Sequence, residues 1–173
     1  MVKECFHTQE NRGTTKLSKP IICVREDAWF GDAFYFWEAL DDADYWGKVS
    51  KRATGEYDVY LSKINTENFL DTVFNEKHYR AWVSTVEKLA LKFQVEIGEK
   101  LSLKELNDYL KDKGLYRDIC GISFQDISSN ENHYLVKGLQ YRKRIQFAVF
   151  NEDCIKEFVF LHTGKSRKHD RYR

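Results

Sequence analysis

Apolar and polar positions along the chain follow patterns that predict both strands and helices. Period-two alternation over EYDVYLSKI at residues 56–64 predicts a strand, and the β-capable opening KECFHT at residues 3–8 predicts another. The compact apolar run PIICVRE at residues 20–26 suits a buried strand or turn. The aromatic segment that begins at Ala28 predicts a strand or turn that leads into a helix near residues 38–52.

Longer apolar repeats predict a helical middle. Apolar residues three and four positions apart indicate an amphipathic helix from Glu76 to about Ile97, and they are Tyr79, Trp82, Val83, Val86, Leu89, Ala90 and Phe93. Ser102 and Glu105 have the spacing of a capping box ahead of a second helix, which Gly114 is placed to end. NTENFLDTVF at residues 65–74 predicts a short helix.

The last third of the chain is rich in strand patterns. They are ICGISFQDI at 119–127, HYLVKGLQYRKRIQFAVF at 133–150 and IKEFVFLH at 155–162, separated by the turn-forming stretches SSNEN and NEDC. This order of elements favours an α+β domain with two sheets over a doubly wound fold. We expect one domain over residues 1–164, followed by a basic C-terminal tail over residues 165–173.

Composition narrows the class of protein. A chain of 173 residues with 42% hydrophobic residues suits one globular domain. It has no apolar stretch long enough to cross a bilayer and its start lacks a signal-peptide core, so we expect a cytoplasmic protein without a membrane partner. Cys5, Cys23, Cys120 and Cys154 form no CxxC pair, which predicts free, mostly buried thiols and no metal site.

The net charge of +1 hides an uneven distribution of charge. Acidic residues dominate residues 26–58, whereas basic residues cluster at 137–144 and 165–173, with Tyr141 and Tyr172 among them. Lys and Arg neutralise phosphates and tyrosines stack on bases, so a nucleic-acid partner is one interpretation. A solvated strand face and a frayed tail are the other.

Two motifs in the first part of the chain carry a resemblance to a known family. His7 and Thr8 lie at the end of the first predicted strand, and GDAFYF follows at residues 31–36. The pair resembles poly(ADP-ribose) polymerases and diphtheria-toxin-like ADP-ribosyltransferases. There a strand bears His followed by Gly-Thr or a similar pair, and a second segment has the form Gly-x-Gly-hydrophobic-Tyr-Phe. Ala33 replaces the second glycine.

The resemblance implies a split two-sheet ADP-ribosyltransferase-like fold that takes NAD as its substrate. By this resemblance His7 bonds a ribose hydroxyl, main-chain groups beside Thr8 hold the carboxamide, and the ring of Tyr35 stacks on nicotinamide. A second aromatic residue on the following helix corresponds to Tyr45 or Trp46. Taken singly, a histidine at a strand end and a run of aromatics are also ordinary structural features.

One position departs from the family pattern. The family's late strand begins with a glutamate, and the corresponding strand IQFAVF places Gln146 there. An amide bonds a hydroxyl but does not stabilise the cation that forms on the ribose. We therefore expect single transfer rather than chain elongation, with the acceptor, Glu152 or Glu38 supplying the charge. A surface strand residue is the alternative interpretation of Gln146.

Together these features predict a mono-ADP-ribosyltransferase, an effector of the toxin or phage-defence type that modifies nucleic acid or protein. An inhibitor protein of the antitoxin kind is then an expected partner. The alternative is a weak or inactive module that binds NAD, ADP-ribose or RNA. The related RNA 2′-phosphotransferases also consume NAD, but the acidic stretch after Glu26 argues against that branch.

Overall fold

The computed structural model describes residues 1–126 and 143–167. Within these ranges the chain forms seven strands and three α-helices. The strands are β1 (Val2–Glu10), β2 (Phe34–Trp37), β3 (Glu56–Asn65), β4 (Phe69–Asp71), β5 (Gly121–Asp126), β6 (Arg144–Val149) and β7 (Ile155–Lys165). The helices are α1 (Leu40–Ser50), α2 (Glu76–Ile97) and α3 (Leu103–Asp112).

The strands form one mixed sheet in the order β4-β5-β6-β2-β1-β3-β7. Only the pair β4 and β5 is parallel among the described strands. The α+β class is thus confirmed, but the strands belong to one sheet rather than two separate ones. The two parts of the sheet meet at β1 and β2, which are paired at Phe6 and Trp37. Beyond that pair the two strands have no further ladder pair, and we call this region, around Thr8 and Tyr35, the fork.

Each face of the sheet has its own core. On one face, Cys5, Phe36 and Phe147 belong to a buried cluster with the half-buried Phe158 of β7. On the other face, α1 packs Ala43 against Trp37 and the neighbouring strands. These apolar layers account for most of the driving force for folding.

A glycine allows α1 to approach the sheet closely. A Cβ atom at Gly47 would lie 2.2 Å from the ring of Tyr57, which is itself 1% exposed. The hydroxyl of Tyr57 donates to Asp44 on the same helix at 2.8 Å. The helix is therefore fixed on the sheet by contact and by a hydrogen bond.

The predictions of the two helices in the middle of the chain, α2 and α3, are confirmed. Asn75 caps the start of α2, and Gly98 ends that helix with a φ of 74°. Ser102 and Glu105 form the expected capping box, and Gly114 follows α3 with a φ of 72°. The helices lean on each other through aromatic contacts, which include Phe93 on Tyr109 at 5.1 Å between ring centroids.

Two local predictions were wrong. NTENFLDTVF contains β4 instead of a helix, because Phe69 pairs with Gly121 on β5 and its ring is buried in the core. PIICVRE is not a buried strand, since Ile22 and Val24 are 46% and 64% exposed and line a cavity. The predicted strand over 133–142 lies outside the described residues. So do the basic residues at 137, 142, 168, 171 and 173.

The remaining expectations concern the ends and the thiols. Of the predicted basic tail at 165–173, the structure describes residues 165–167: β7 ends at Lys165, and the Arg167 amide donates to the Lys48 carbonyl at 2.9 Å. All four cysteines fall within the described ranges and are free, with Cys5 and Cys154 buried. None of the described helices combines the length and apolar composition needed to cross a bilayer.

Candidate functional site

A cavity of about 770 Å³, here called the cleft, opens beside the fork. Its walls come from β1, β2, β5, β6, α1 and the segment over residues 21–29. The volume lies in the range of small-molecule sites, about 300 to 1,000 Å³. The cleft is lined by every site residue that the sequence selected, namely His7, Thr8, Tyr35, Tyr45, Trp46 and Gln146.

His7 occupies the fork itself. Its Nδ1 lies 2.9 Å from the carbonyl oxygen of Tyr35, so the ring bridges β1 and β2 where they have no ladder pair. The ring packs on Phe36 and Phe158, at 5.4 and 5.8 Å between centroids, and the residue is 6% exposed. Burial lowers the pKa of His7 to about 4, so the imidazole is neutral near pH 7.

The hydrogen bond of His7 fixes its tautomer. A carbonyl oxygen only accepts, so Nδ1 carries the proton and donates it to Tyr35. Nε2 then presents a lone pair, and this buried atom has no hydrogen-bond partner in the described part of the chain. Unpartnered buried polar atoms are uncommon. The free ring nitrogen of His7 is thus an acceptor, and it is buried on the face of the sheet where the ring packs on Phe36 and Phe158.

Thr8 and Tyr35 have hydroxyls that are engaged within the protein. Thr8 Oγ1 donates to the carbonyl of Ala43 on α1 at 2.9 Å. Tyr35 donates to the carbonyl of Gly31 at 2.9 Å and accepts from the amide of Phe30 at 3.3 Å. Burial raises the pKa of Tyr35 above its ordinary range. These residues therefore offer the cleft a ring face and main-chain groups rather than free hydroxyls.

The opposite wall consists of aromatic rings with arginine guanidinium groups lying over them. Trp37 and Trp46 are 5.9 Å apart between ring centroids, and Arg25 lies 5.8 Å from the centre of the Trp46 ring. Arg144 lies 5.7 Å from Trp37 and 5.5 Å from Tyr45. Such distances are typical of cation–π contacts. Both aromatics between which the sequence did not decide, Tyr45 and Trp46, thus line the wall.

Gln146 faces the cleft rather than the outer surface. It pairs with Trp37 on one side and with Phe124 on the other, and paired residues share a face of the sheet. The two glutamates suggested as substitutes do not line the cleft. Glu38 bonds Lys3 at 3.0 Å, and Glu152 bonds Lys19 at 3.3 Å.

The sequence did not identify most of the charged residues of the cleft. Five cationic side chains line it within the described ranges, namely Arg25, Lys51, Arg52, Arg144 and Arg167. Two acidic side chains, Asp27 and Asp126, accompany them there. The two basic clusters at 137–144 and 165–173 were the signal in the sequence, and Arg144 and Arg167 are their members at the cleft. The net positive lining favours an anionic ligand.

Lys51 and Asp126 have perturbed titrations that follow from their burial. Burial lowers the pKa of Lys51, whose ammonium donates to Gln9 at 3.2 Å. Burial raises the pKa of Asp126, and its ion pair with Arg144 opposes that rise. Perturbed titratable groups that lie together in a cleft are typical of functional sites.

The segment that borders the cleft is held in place by α3. Asn107, which is fully buried, donates to the carbonyl of Trp29 at 3.0 Å. Lys111 Nζ donates to the carbonyls of Phe30 and Asp32, at 2.5 and 3.0 Å. These bonds satisfy carbonyls that an irregular segment leaves unpaired, and they give the cleft wall a defined position.

The conformation of this segment also requires a glycine. Gly31 has a φ of 66°, and a Cβ atom there would lie 1.8 Å from an oxygen of Asp108. No other residue type meets both conditions without strain. The first glycine of the GDAFYF motif thus has a structural reason of its own.

Compared with known proteins, the chain matches no protein-family model and no curated protein. The resemblance to ADP-ribosyltransferases therefore depends on the motifs of the sequence alone.

Proposed function

We propose that this protein is a mono-ADP-ribosyltransferase that uses NAD as its substrate and acts as an effector of the toxin or phage-defence type. One observation supports the proposal most. The residues selected by two separate motifs and a late strand, among them His7, Tyr35 and Gln146, border a single cleft. That cleft also has the aromatic rings and cations that a dinucleotide diphosphate needs.

The groups of the cleft suit the parts of NAD. His7 holds the main chain of the cleft wall, since its Nδ1 donates to the carbonyl of Tyr35 at 2.9 Å. The ring of Tyr35 is a flat surface for nicotinamide. Arg25, Lys51 and Arg167 are cations for the diphosphate.

The arrangement also suits the chemistry of transfer. A rigid cleft that orients the nicotinamide ribose lowers the entropic part of the barrier. Gln146 can bond a ribose hydroxyl through its amide, as the family's glutamate does through a carboxylate. An amide carries no charge, so single transfer to one acceptor fits this site better than repeated elongation.

Release of nicotinamide from NAD by the purified chain tests the proposal. We expect the wild-type protein to release nicotinamide, and Trp46→Ala to lower that activity at least tenfold because a wall of the cleft is lost. Tyr79→Ala is the matched control, since this aromatic ring is 48% exposed on α2, away from the cleft. Absence of release with NAD, alone or with added cell RNA and protein, contradicts the proposal.

The acceptor is identified by the same assay with labelled NAD. A labelled product that nuclease destroys indicates a nucleic-acid acceptor, and one that protease destroys indicates a protein. Arg144 and Arg167 favour the nucleic acid, because basic side chains at the cleft attract a phosphate backbone. A protein that inhibits the enzyme, as antitoxins do, is expected to cover the cleft.

The second candidate is a binding module for NAD, ADP-ribose or RNA without turnover. The amide of Gln146 and the internally bonded hydroxyls of Thr8 and Tyr35 favour it. NAD that binds without release of nicotinamide under any of the conditions above would select this candidate.

A further inference from the structure

We propose that the carboxylate of Asp126, held by Arg144, supplies the negative charge that Gln146 lacks and stabilises the cation formed on the ribose. The inference rests on the proposed function and assigns a catalytic group to the same cleft. It places that group on β5, one strand away from the position that the family resemblance indicates.

The first argument is elimination among the acids around the cleft. Asp27 and Asp126 are the acidic residues of its lining in the described ranges. Asp27 is 68% exposed and pairs with Arg25 beside it in the chain. The side chain of Asp126 is 18% exposed. A carboxylate shielded from water has a stronger electrostatic effect than an exposed one.

The second argument is register. Phe124 pairs with Gln146, and Asp126 pairs with Arg144, along β5 and β6. Residues two apart on a strand share a face, so Asp126 and Gln146 are diagonal neighbours on the face that borders the cleft. Cβ atoms of such neighbours are roughly 7 to 8 Å apart. A ribose bonded by the amide of Gln146 therefore lies near the carboxylate of Asp126.

The third argument is the position of Arg144. Its guanidinium pairs with Asp126 and lies over the rings of Trp37 and Tyr45. A planar group held by two rings and a carboxylate has little freedom, so it orients the carboxylate. Arg144 is in this sense a positioning residue, since it acts through Asp126.

The reaction balances without an oxidant or reductant. The bond between ribose C1′ and the nicotinamide nitrogen breaks, and its electron pair leaves with neutral nicotinamide. The positive charge moves from the nicotinamide ring to C1′ and the ring oxygen of the ribose, where the carboxylate of Asp126 stabilises it. A lone pair of the acceptor then bonds C1′, and the proton of the acceptor goes to water.

The test is the release of nicotinamide by the full chain carrying Asp126→Asn. This change keeps the shape of the side chain and removes its charge, so we expect kcat to fall at least ~100-fold. Affinity for NAD, measured by quenching of tryptophan fluorescence, should stay within about threefold, because in bound NAD the positive charge lies on the nicotinamide ring and reaches the ribose only in the transition state. Glu76→Gln is the matched control. It removes a carboxylate that pairs with Arg80 on α2, outside the cleft, and should leave kcat unchanged.

A second variant covers the case in which Asp126→Asn does not fold because Arg144 is left unpaired. The double variant Asp126→Asn, Arg144→Gln replaces the ion pair by two amides and removes the unpaired charge. We expect it to fold and to remain at least ~100-fold below the wild type.

The pH profile of kcat separates the roles of the two residues. Protonation of Asp126 removes its charge, so kcat should fall as the pH drops through the pKa of this carboxyl. Arg144→Gln removes the interaction that lowers this pKa, so the acid limb should move to higher pH. If Arg144→Gln only disturbed packing, kcat would fall while the acid limb of its pH profile stayed at the same pH.

Two results would overturn the inference. If Asp126→Asn or the double variant retains kcat within threefold while the wild type is active, Asp126 has no catalytic role and the proposed function survives. If the wild type neither binds NAD nor releases nicotinamide, the proposed function fails and the role of Asp126 fails with it.

Discussion

The buried imidazole in the fork predicts a pH dependence of stability that one substitution should remove. His7→Gln keeps a neutral polar side chain that can donate to the carbonyl of Tyr35, but it has no group that titrates. Burial lowers the pKa of His7 from its ordinary 6.5 to about 4. In the unfolded chain the ring binds a proton below pH 6.5, whereas in the folded protein it stays neutral down to about 4.

The sign and size follow from linkage. The unfolded state binds more protons between these two values, so stability from the neutral ring is present above pH 6.5 and is lost as the pH falls. The loss is about 2 kcal/mol between pH 8 and pH 5, and it reaches about 3 kcal/mol near pH 4. His7 is 6% exposed, so solvent screens this effect little.

Urea unfolding of the two proteins at several pH values between about 5 and 8 measures the effect. Carboxyl groups contribute equally to both proteins, so the difference in unfolding free energy isolates His7. We expect the advantage of the wild type over His7→Gln to shrink by about 2 kcal/mol from pH 8 to pH 5. His162→Gln, at a half-exposed position on β7, is the control and should retain the His7-dependent loss. A difference that is constant with pH would refute the description of His7 as a buried neutral ring.

Three further predictions concern other parts of the molecule. Gly47→Ala should destabilise the protein by about 1 to 3 kcal/mol in urea unfolding, because its Cβ meets the buried ring of Tyr57. A smaller effect would mean that α1 can shift. Asn107→Ala removes the donor to the carbonyl of Trp29, so we expect a loss of about 1 to 3 kcal/mol and weaker NAD binding by titration. Unchanged binding would show that the segment holds its position without this bond. Gln146→Glu should raise nicotinamide release about fivefold or more, since a charge is added at the cleft. An unchanged rate would indicate that this position does not face the ribose.

Local patterns predicted the elements that depend on local interactions. The helices α2 and α3 have their apolar repeats and capping residues within a few positions of each other, so the repeats located both helices and Ser102 and Gly114 marked the two ends of α3. β4 depends on a partner about fifty residues away, Gly121, and no local signal indicates that pairing. The apolar residues Ile22 and Val24 border a cleft rather than a core, and the pattern of apolar residues does not distinguish these two uses.

The sequence selected candidate site residues only where residue type and order suggest them. His7 and Tyr35 stand in two motifs, Gln146 stands on the late strand in place of the family's glutamate, and all three line one cleft. Asp126 could not be selected from the sequence, because its place beside Gln146 depends on the register of β5 against β6. The same holds for Lys51, whose burial follows from the packing of α1.

The fork between β1 and β2 involves main-chain groups as well as side chains. The N–H and C=O groups of a strand residue point to the same side, so Tyr35 turns both toward the fork that His7 bridges. The main-chain N–H and C=O groups of a residue change little when its side chain is substituted. The polar surface at this point of the cleft is therefore set by the path of the backbone, so side-chain substitutions that preserve the fold should leave it in place.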